Sequence, residues 1–490
     1  MLFNSYQFIF LFLPFLILIL TFFQNYVRFK NLQILIMILF SLFFYAYDNY
    51  KFLFLILFSI FVNYYISLKI DSLNKKNLKK LSLTLIILFN ILILFYFKYF
   101  NFFIKHISSF FSETNISYIE IYLPLAISFF TFQQISYQVD NFRNKKKKNI
   151  ISYILYVSFF PQLISGPIIR YSHFLKETIN DKFLKINNEN LSIGLSIIVL
   201  GLFKKVVLAD TAGLYVDDLY NQINDGKSFN GFDLLLFIVF FSVQIYFDFS
   251  GYSDIAVGIA KILNFNLPIN FNSPYKAHSI IDFWKRWHIT LSQFFRDYFY
   301  ISLGGNKNIF IVKFFLIIFV MTVVGLWHGA SNNFVIWGLI HGLLISFNHL
   351  INKFNFKKFI NLSIPKFIKI AFTFMLVAMA FVFFRVENLH QSLTIIIGSL
   401  SIENYFHNSY FINEISNYKK LIMILSIFII FFMPNIFQIF NLKLVNLKKI
   451  DKNQKIVFKI NYFWIYSIIL IFIFLLTFLN SMSVFIYFRF

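Results

Sequence analysis

Long apolar runs, each near the length of a bilayer crossing, alternate along this chain with short polar or basic connections. In the first part such runs lie near 7–26, 32–47, 52–68, 81–100 and 119–138. Others fall near 192–208, 234–262, 367–384, 420–440 and 459–487, and Phe315 to Trp327 contains no ionisable residue. About 20 apolar residues cross a hydrocarbon core. Backbone groups there must be satisfied internally, so helices are the expected form. Strands of alternating polarity, the mark of a membrane β-barrel, are not seen. The pattern predicts an all-α polytopic integral membrane protein, with about 11–13 membrane helices at that length per crossing.

Composition agrees. Of 490 residues, 59% are hydrophobic and 13% charged, against about a quarter charged in a soluble domain. The net charge is +23, but the lysines sit between apolar runs. The expected partner is therefore membrane lipid at the anionic cytoplasmic face, and no nucleic acid is expected. The absence of cysteine excludes disulfides, thiolate metal sites and a cysteine nucleophile. The first run has neither a basic start nor a small-residue cleavage site, so it is expected to be a retained span.

Basic and poorer connections alternate. Arg28 and Lys30 follow the first run, and Lys69, Lys75, Lys76, Lys79 and Lys80 the third. Arg143 and Lys145 to Lys148 follow the fifth. The second connection has Lys51 beside Asp48, and the fourth has Lys105 with Glu113 and Glu120. The positive-inside tendency then places the N-terminus outside and the 143–148 cluster in the cytoplasm, as a topology anchor.

Some apolar runs carry breaks or polar groups. Gln133 and Gln134 interrupt one. Phe159 to Arg170 holds Pro161, Gly166 and Pro167, and proline removes a donor and breaks a helix. A broken or re-entrant element is expected there, or a kinked span end. Asp248 and Asp254 in an apolar run need partners; proton handling, metal ligation and structural anchoring are all open to them.

Two neighbouring stretches concentrate chemistry. One runs from Asp282 through Trp284, Trp287, His288, Arg296, Asp297 and Tyr298 to Asn306. The other is Gly325-Leu-Trp327-His328-Gly329, followed by Trp337-Gly338-Leu-Ile-His341-Gly342. The first could be a mere amphipathic interfacial helix. In the second, Gly325 and Gly329 at four-residue spacing would strip one helix face and permit close approach, and Gly338 and Gly342 would repeat this around His341. A neutral imidazole at His328 suits a general base; a satisfied core histidine is the ordinary alternative. His341 is expected to pack or orient. Zinc needs three convergent ligands, and although His288, His328 and His341 are available, their spacing matches no metal motif, so none is expected. No P-loop, Rossmann or GxSxG pattern is present.

In series, several motifs resemble the membrane-bound O-acyltransferase family, in its bacterial branch of alginate O-acetyltransferase and D-alanyl-lipoteichoic acid transfer proteins. They are Pro124-Leu-Ala-Ile-Ser128-Phe-Phe-Thr-Phe-Gln133, Phe160-Pro161-Gln162-Leu-Ile-Ser-Gly166-Pro167-Ile-Ile-Arg170, Phe247-Asp248-Phe-Ser250-Gly251-Tyr252-Ser253-Asp254 and Phe283-Trp284-Lys-Arg286-Trp287-His288. Arg296-Asp297-Tyr298, Leu303-Gly304-Gly305-Asn306, Gly325-Leu-Trp327-His328-Gly329 and Phe383-Phe384-Arg385 continue it. The resemblance covers most of 120–390. It implies a ring of membrane helices around a central tunnel, with N-terminal membrane helices over 1–120, a catalytic core over 121–390 and C-terminal membrane helices over 391–490 in one continuous membrane domain.

The same resemblance implies that His328 is the catalytic histidine and His288 its upstream companion. Trp327, Gln133, Arg296, Asp297, Tyr298 and Asp248 are the candidates for substrate or tunnel contact. The implied activity moves an acyl group, acetyl by length of chain, across the bacterial cytoplasmic membrane to hydroxyls of an exported polysaccharide. No bound cofactor is implied; the donor is acetyl-CoA or another cytoplasmic acyl thioester. An extracytoplasmic SGNH-type acetyltransferase is the implied partner. D-alanyl transfer to teichoic acid is the alternative within the family. A non-enzymatic polysaccharide export or transporter subunit, or a polymerase, is the alternative outside it.

Overall fold

A computed structural model of the chain describes residues 1–24, 30–110, 120–144, 148–354, 365–401, 405, 409–442, 461–479 and 485–486. Arg28, Glu113, Lys145 to Lys147 and the outer parts of the expected 459–487 span lie outside the described residues. Every regular element among the described residues is helical. Among the described residues, seven helices are long and apolar enough to cross a membrane, and four shorter apolar helices accompany them. This is the expected all-α polytopic architecture.

The chain divides into two compact units. The first holds Met1–Ile198 and Ser253–Pro268. Its helices are α1 (Gln7–Phe23), α2 (Lys30–Ala46), α3 (Lys51–Ser72) and α4 (Lys76–Ser108), then α5 (Ile127–Arg143), α6 (Ile150–Ser158), α7 (Phe160–Leu163) and α8 (Tyr171–Ile179). Two long helices, α9 (Asn188–Asn224) and α10 (Gly231–Ile262), each contribute a part to both units.

One expected span needs correction. The helix over the run near 119–138 begins later and extends further than the apolar pattern indicates. Helix α5 begins only at Ile127, behind Ala126 in a left-handed conformation (φ 61°). It buries Gln133, Gln134, Gln138 and Asn141, which lipid would leave unpaired. Gln134, Gln138 and Asn141 find protein partners instead, whereas Gln133 Oε1 meets none among the described residues. Gln134 Nε2 donates to Ser59 Oγ at 2.8 Å and Gln138 Nε2 to the Asn63 carbonyl at 2.7 Å. Asn63 and Asn90 exchange amide hydrogen bonds at 3.1 and 2.9 Å. The Phe159–Arg170 segment is broken as expected, with Pro161 in the four-residue α7 and Phe159 to Pro167 all buried.

The second unit holds Val199–Tyr252, Ile269–Leu442 and the described residues from 461 onward. It contains α11 (Ile280–Trp284), α12 (Ile289–Phe294), α13 (Phe310–His328), α14 (Asn332–Lys353), α15 (Lys366–Arg385), α16 (Leu389–Gly398), α17 (Asn417–Phe432) and α18 (Tyr462–Leu476). Helix α16, the short helix expected near 390–401, is capped by Asn388, whose side chain accepts from the His390 and Gln391 amides. The expected 420–440 span stops at Phe432, because Met433 precedes Pro434 and turns extended, as residues before proline do.

Helices α13 and α14 form a hairpin packed backbone to backbone. A Cβ on Gly338 would stand 3.1 Å from the Gly325 Cα, and one on Gly342 would stand 2.8 Å from the Ile318 Cα. The close approach expected at Gly325, Gly338 and Gly342 is present, and only Gly329 departs from the expected face. Gly329 lies beyond the end of α13 in extended conformation, and Gly325 meets Gly338 across the hairpin.

Candidate active site

The site is built in the second unit on the α13–α14 hairpin and on the segment between α10 and α13. His328 is the last residue of α13 and is buried. The turn that follows brings Trp337 of α14 back against it. The His328 ring stands 4.8 Å from Trp327, 5.1 Å from Trp337 and 5.1 Å from Phe384 at ring centres.

The stretch around His288 is not a continuous amphipathic helix. It breaks after Trp284, and His288 takes φ 40°, ψ 55°, before α12 begins. Left-handed backbone at a non-glycine residue costs of order 1–3 kcal/mol and persists where its surroundings enforce it. Here residues 270–272 clamp it. The Ile289 amide donates to the Asn270 carbonyl at 2.9 Å, and the Asn272 amide to the Arg286 carbonyl at 2.9 Å. Thr290 Oγ1 donates to Asn270 Oδ1 at 2.6 Å. Gly304 and Gly305 relieve similar strain further on by having no Cβ (φ 98° and 53°).

The clamp buries His288 completely, edge-on to Phe249 at 4.8 Å and 6.2 Å from Trp327. Neither of its ring nitrogens meets a hydrogen-bond partner in another described residue. A buried polar group without partner costs about 1–3 kcal/mol. Burial pushes the imidazole down to about 3, so the ring is neutral.

His341, one turn past Trp337, is also fully buried. Its Nδ1 accepts from Trp284 Nε1 at 3.3 Å, which places its proton on Nε2. Trp337 packs at 4.7 Å from its ring. The result is one row, His288–Trp327–His328–Trp337–His341, with indoles between imidazoles. Beside it lies a cavity of about 440 Å³, lined by Trp284, Leu291 and Val324 and by the cations Lys285, Arg296 and Lys313.

The other expected residues distribute as follows. Arg296 and Asp297 bind each other, Nε to Oδ1 at 2.7 Å and Nη2 to Oδ2 at 3.2 Å; Arg296 is exposed and Tyr298 half-buried, packed on Phe294. Gln133 lies in the first unit, buried on α5. Asp248 is in an ionic cluster: Lys205 Nζ stands 2.6 Å from Asp248 Oδ1 and 2.7 Å from Asp210 Oδ1, with all three side chains buried. The second Asp248 oxygen accepts from the Ile486 amide at 2.7 Å. Gly251 permits this, since a Cβ there would stand 2.7 Å from the Gly201 carbonyl oxygen and 3.1 Å from the Lys205 amide.

Sequence reasoning missed Lys205 as the partner of Asp248, and Trp284 as the donor to His341. A lysine near the end of the apolar run over 192–208 was the signal for the first. The second had none, because it depends on the break after Trp284.

A family model described as MBOAT, membrane-bound O-acyltransferase family, matches residues 76–390. The chain is 36% identical to a peptidoglycan O-acetyltransferase of Helicobacter pylori over 432 residues, 82% of this chain and 80% of that protein. It is 34% identical to the protein named "Probable alginate O-acetylase AlgI" of Pseudomonas aeruginosa, over 79% of this chain and 73% of the other. It is 29% identical to a teichoic acid D-alanyltransferase of Bacillus subtilis, over 48% of this chain and 60% of the other. Both the order of its motifs and these matches make the chain a multi-pass member of the membrane-bound O-acyltransferase family, and an O-acyltransferase.

Proposed function

We propose that this protein transfers an acetyl group from a cytoplasmic acyl thioester, acetyl-CoA by preference, to hydroxyls of an exported cell-surface polysaccharide, with His328 as general base. The observation that carries this reading is the buried row that sets His328 between Trp327 and Trp337, with the neutral His288 at its end. His328 takes the proton of the attacking hydroxyl as its oxygen bonds to the acyl carbon. The carbon–sulfur bond then breaks, and the imidazolium returns the proton to the departing thiolate. The balance is hydroxyl plus thioester giving ester plus thiol. A positioned general base contributes typically 10²–10⁴-fold, and holding donor and acceptor together supplies the larger share.

His288, with its unpartnered nitrogens, is assigned to orient a reacting group; the cations beside the cavity suit an anionic donor carrier. Trp327 walls the centre, and Asp248 supports it through Phe249. Asp297, Arg296 and Tyr298 are assigned to substrate contact in the second unit, and Gln133 separately to substrate contact in the first. The hydroxyl is that of the polymer itself or of a serine on an extracytoplasmic SGNH-type acetyltransferase that relays the group. The protein works in the bacterial inner membrane with its N-terminus outside. Acetyl is preferred to D-alanyl because the O-acetylating relatives match about four-fifths of the chain, and the D-alanyltransferase under half.

The test compares ester-linked acetate on isolated peptidoglycan and surface polysaccharide between wild type and His328→Ala at matched membrane expression. Loss of acetate from one polymer at unchanged polymer amount is expected, and it names the acceptor. Unchanged acetate on every polymer overturns the reading; loss of D-alanine esters instead reassigns the acyl group.

A further inference from the structure

We propose that a cleft in the second unit, between α15 and α17, binds an anionic phospholipid whose phosphate rests on Lys276. The cleft has a volume of about 790 Å³. Its walls come from α15, which is long and apolar enough to cross a membrane, and from α17, and they are apolar: Phe367, Ile370 and Phe374 on α15, and Phe431 and Phe432 on α17. Phe367 is 70% exposed and Phe432 is 72% exposed, so both wall tips face the lipid. Its floor is polar and cationic, built from Asn272, Lys276, His278 and Arg286.

The charges on that floor do not balance. Arg286 is paired with Asp282, Nε to Oδ1 at 2.9 Å. Lys276 is half-buried beside the same guanidinium, and its hydrogen bond goes to the Met433 carbonyl at 2.8 Å. It has no carboxylate within ion-pair reach among the described residues. Burial and the neighbouring Arg286 push its ammonium below the usual lysine value. A cation kept half-buried against a like charge calls for an anion from outside the chain. Apolar walls open to lipid specify an anion that carries acyl tails.

The end of the cleft agrees with this occupant. Helix α15 opens on Lys366 and Lys369, and α14 closes on Lys353. A basic end marks the cytoplasmic leaflet, where anionic lipids concentrate. The floor is also part of the His288 clamp. Asn272 pairs with the Arg286 backbone, and Asn435 Nδ2 donates to Asn272 Oδ1 at 2.9 Å and to Ser273 Oγ at 3.2 Å. A phosphate on Lys276 relieves the like-charge contact beneath that clamp. Acyl transfer is therefore expected to rise with anionic lipid, a step that rests on the proposed activity; lipid binding itself does not.

The experiment is native mass spectrometry of the full-length protein released from mixed micelles of phosphatidylglycerol and phosphatidylcholine. Wild type is expected to retain phosphatidylglycerol preferentially. Lys276→Gln is expected to retain it about fivefold less, the worth of one basic residue at a membrane surface, and Lys276→Arg to behave as wild type. Equal retention of both lipids by wild type overturns the proposal without any variant. Undiminished retention in Lys276→Gln also overturns it, by moving the anion elsewhere. Displacement of the lipid by added coenzyme A would overturn it too and give the cleft to the acyl donor. If the lipid preference holds while His328→Ala leaves acetate unchanged, the lipid site stands and the activity assigned above fails.

Discussion

Gly338→Ala on α14 tests whether the hairpin geometry is what aligns the imidazole row. The added Cβ would fall 3.0 Å from the Thr322 Cα and 3.1 Å from the Gly325 Cα, with the Met321 carbonyl oxygen nearer still. All three belong to the α13 backbone, so no side chain can turn aside. The helices must part by roughly 0.5–1 Å, and such overpacking costs about 1–3 kcal/mol. His328 is on α13 whereas Trp337 and His341 are on α14, so the parting falls directly on the 5.1 Å His328–Trp337 contact. A displacement near 1 Å at a reaction centre costs about 10²-fold in rate. The assay is ester-linked acetate per unit of membrane-inserted protein, with thermal stability in detergent measured alongside. The expected result is a loss of one to two orders of magnitude in acetylation with the protein still folded. Leu339→Ala, on the outer side of the same helix (39% exposed), serves as control and is expected to stay within a few fold of wild type. Full acetylation by Gly338→Ala would refute the claim that the glycine contact sets the site.

Two other substitutions separate the roles of buried groups. His288→Asn keeps a residue type that tolerates left-handed backbone; acetylation is expected to fall about a hundredfold, the lower end for a positioned acid–base group, while the melting temperature moves little. A large drop in melting temperature would make His288 structural. Lys205→Met removes the cation that stands between Asp210 and Asp248, and breaking a buried pair in this way costs about 3–5 kcal/mol. Low membrane yield is expected, with partial recovery in Lys205→Met combined with Asp248→Asn. Normal yield of the single variant would contradict the ionic reading.

The fold was legible where one physical signal dominated. Apolar runs of crossing length marked α1 to α4, α10 and α15, because in lipid length and hydropathy outweigh every local preference. The signal misled at α5, whose phenylalanines read as a lipid-facing run while its amides made it a core helix. No hydropathy window weighs Gln134 against a serine on another helix. At the site, residue type pointed to His328 at the end of an apolar helix and motif order to its companions. What could not be read was geometry set by long-range pairing. The left-handed turn at His288 is imposed by Asn270 and Asn272, and the role of Trp284 depends on a break in a stretch that scores as one amphipathic helix. Glycine spacing pointed to close approach on both α13 and α14, but that Gly325 meets Gly338 across the hairpin depends on how the two helices pair.

The Lys205–Asp210–Asp248 cluster has a consequence for the order in which the protein is made. Lys205 and Asp210 leave the ribosome together and can enter the membrane as a neutral pair. Asp248 follows as a second acid with no cation of its own, and its remaining hydrogen-bond donor, the Ile486 amide, is synthesised 238 residues later. From the insertion of α10 until the segment around Ile486 emerges, the nascent protein carries an incompletely satisfied carboxylate on that helix. That interval is the stage at which insertase or chaperone engagement is most needed. It is also where quality-control proteases would recognise a ribosome-stalled or truncated product.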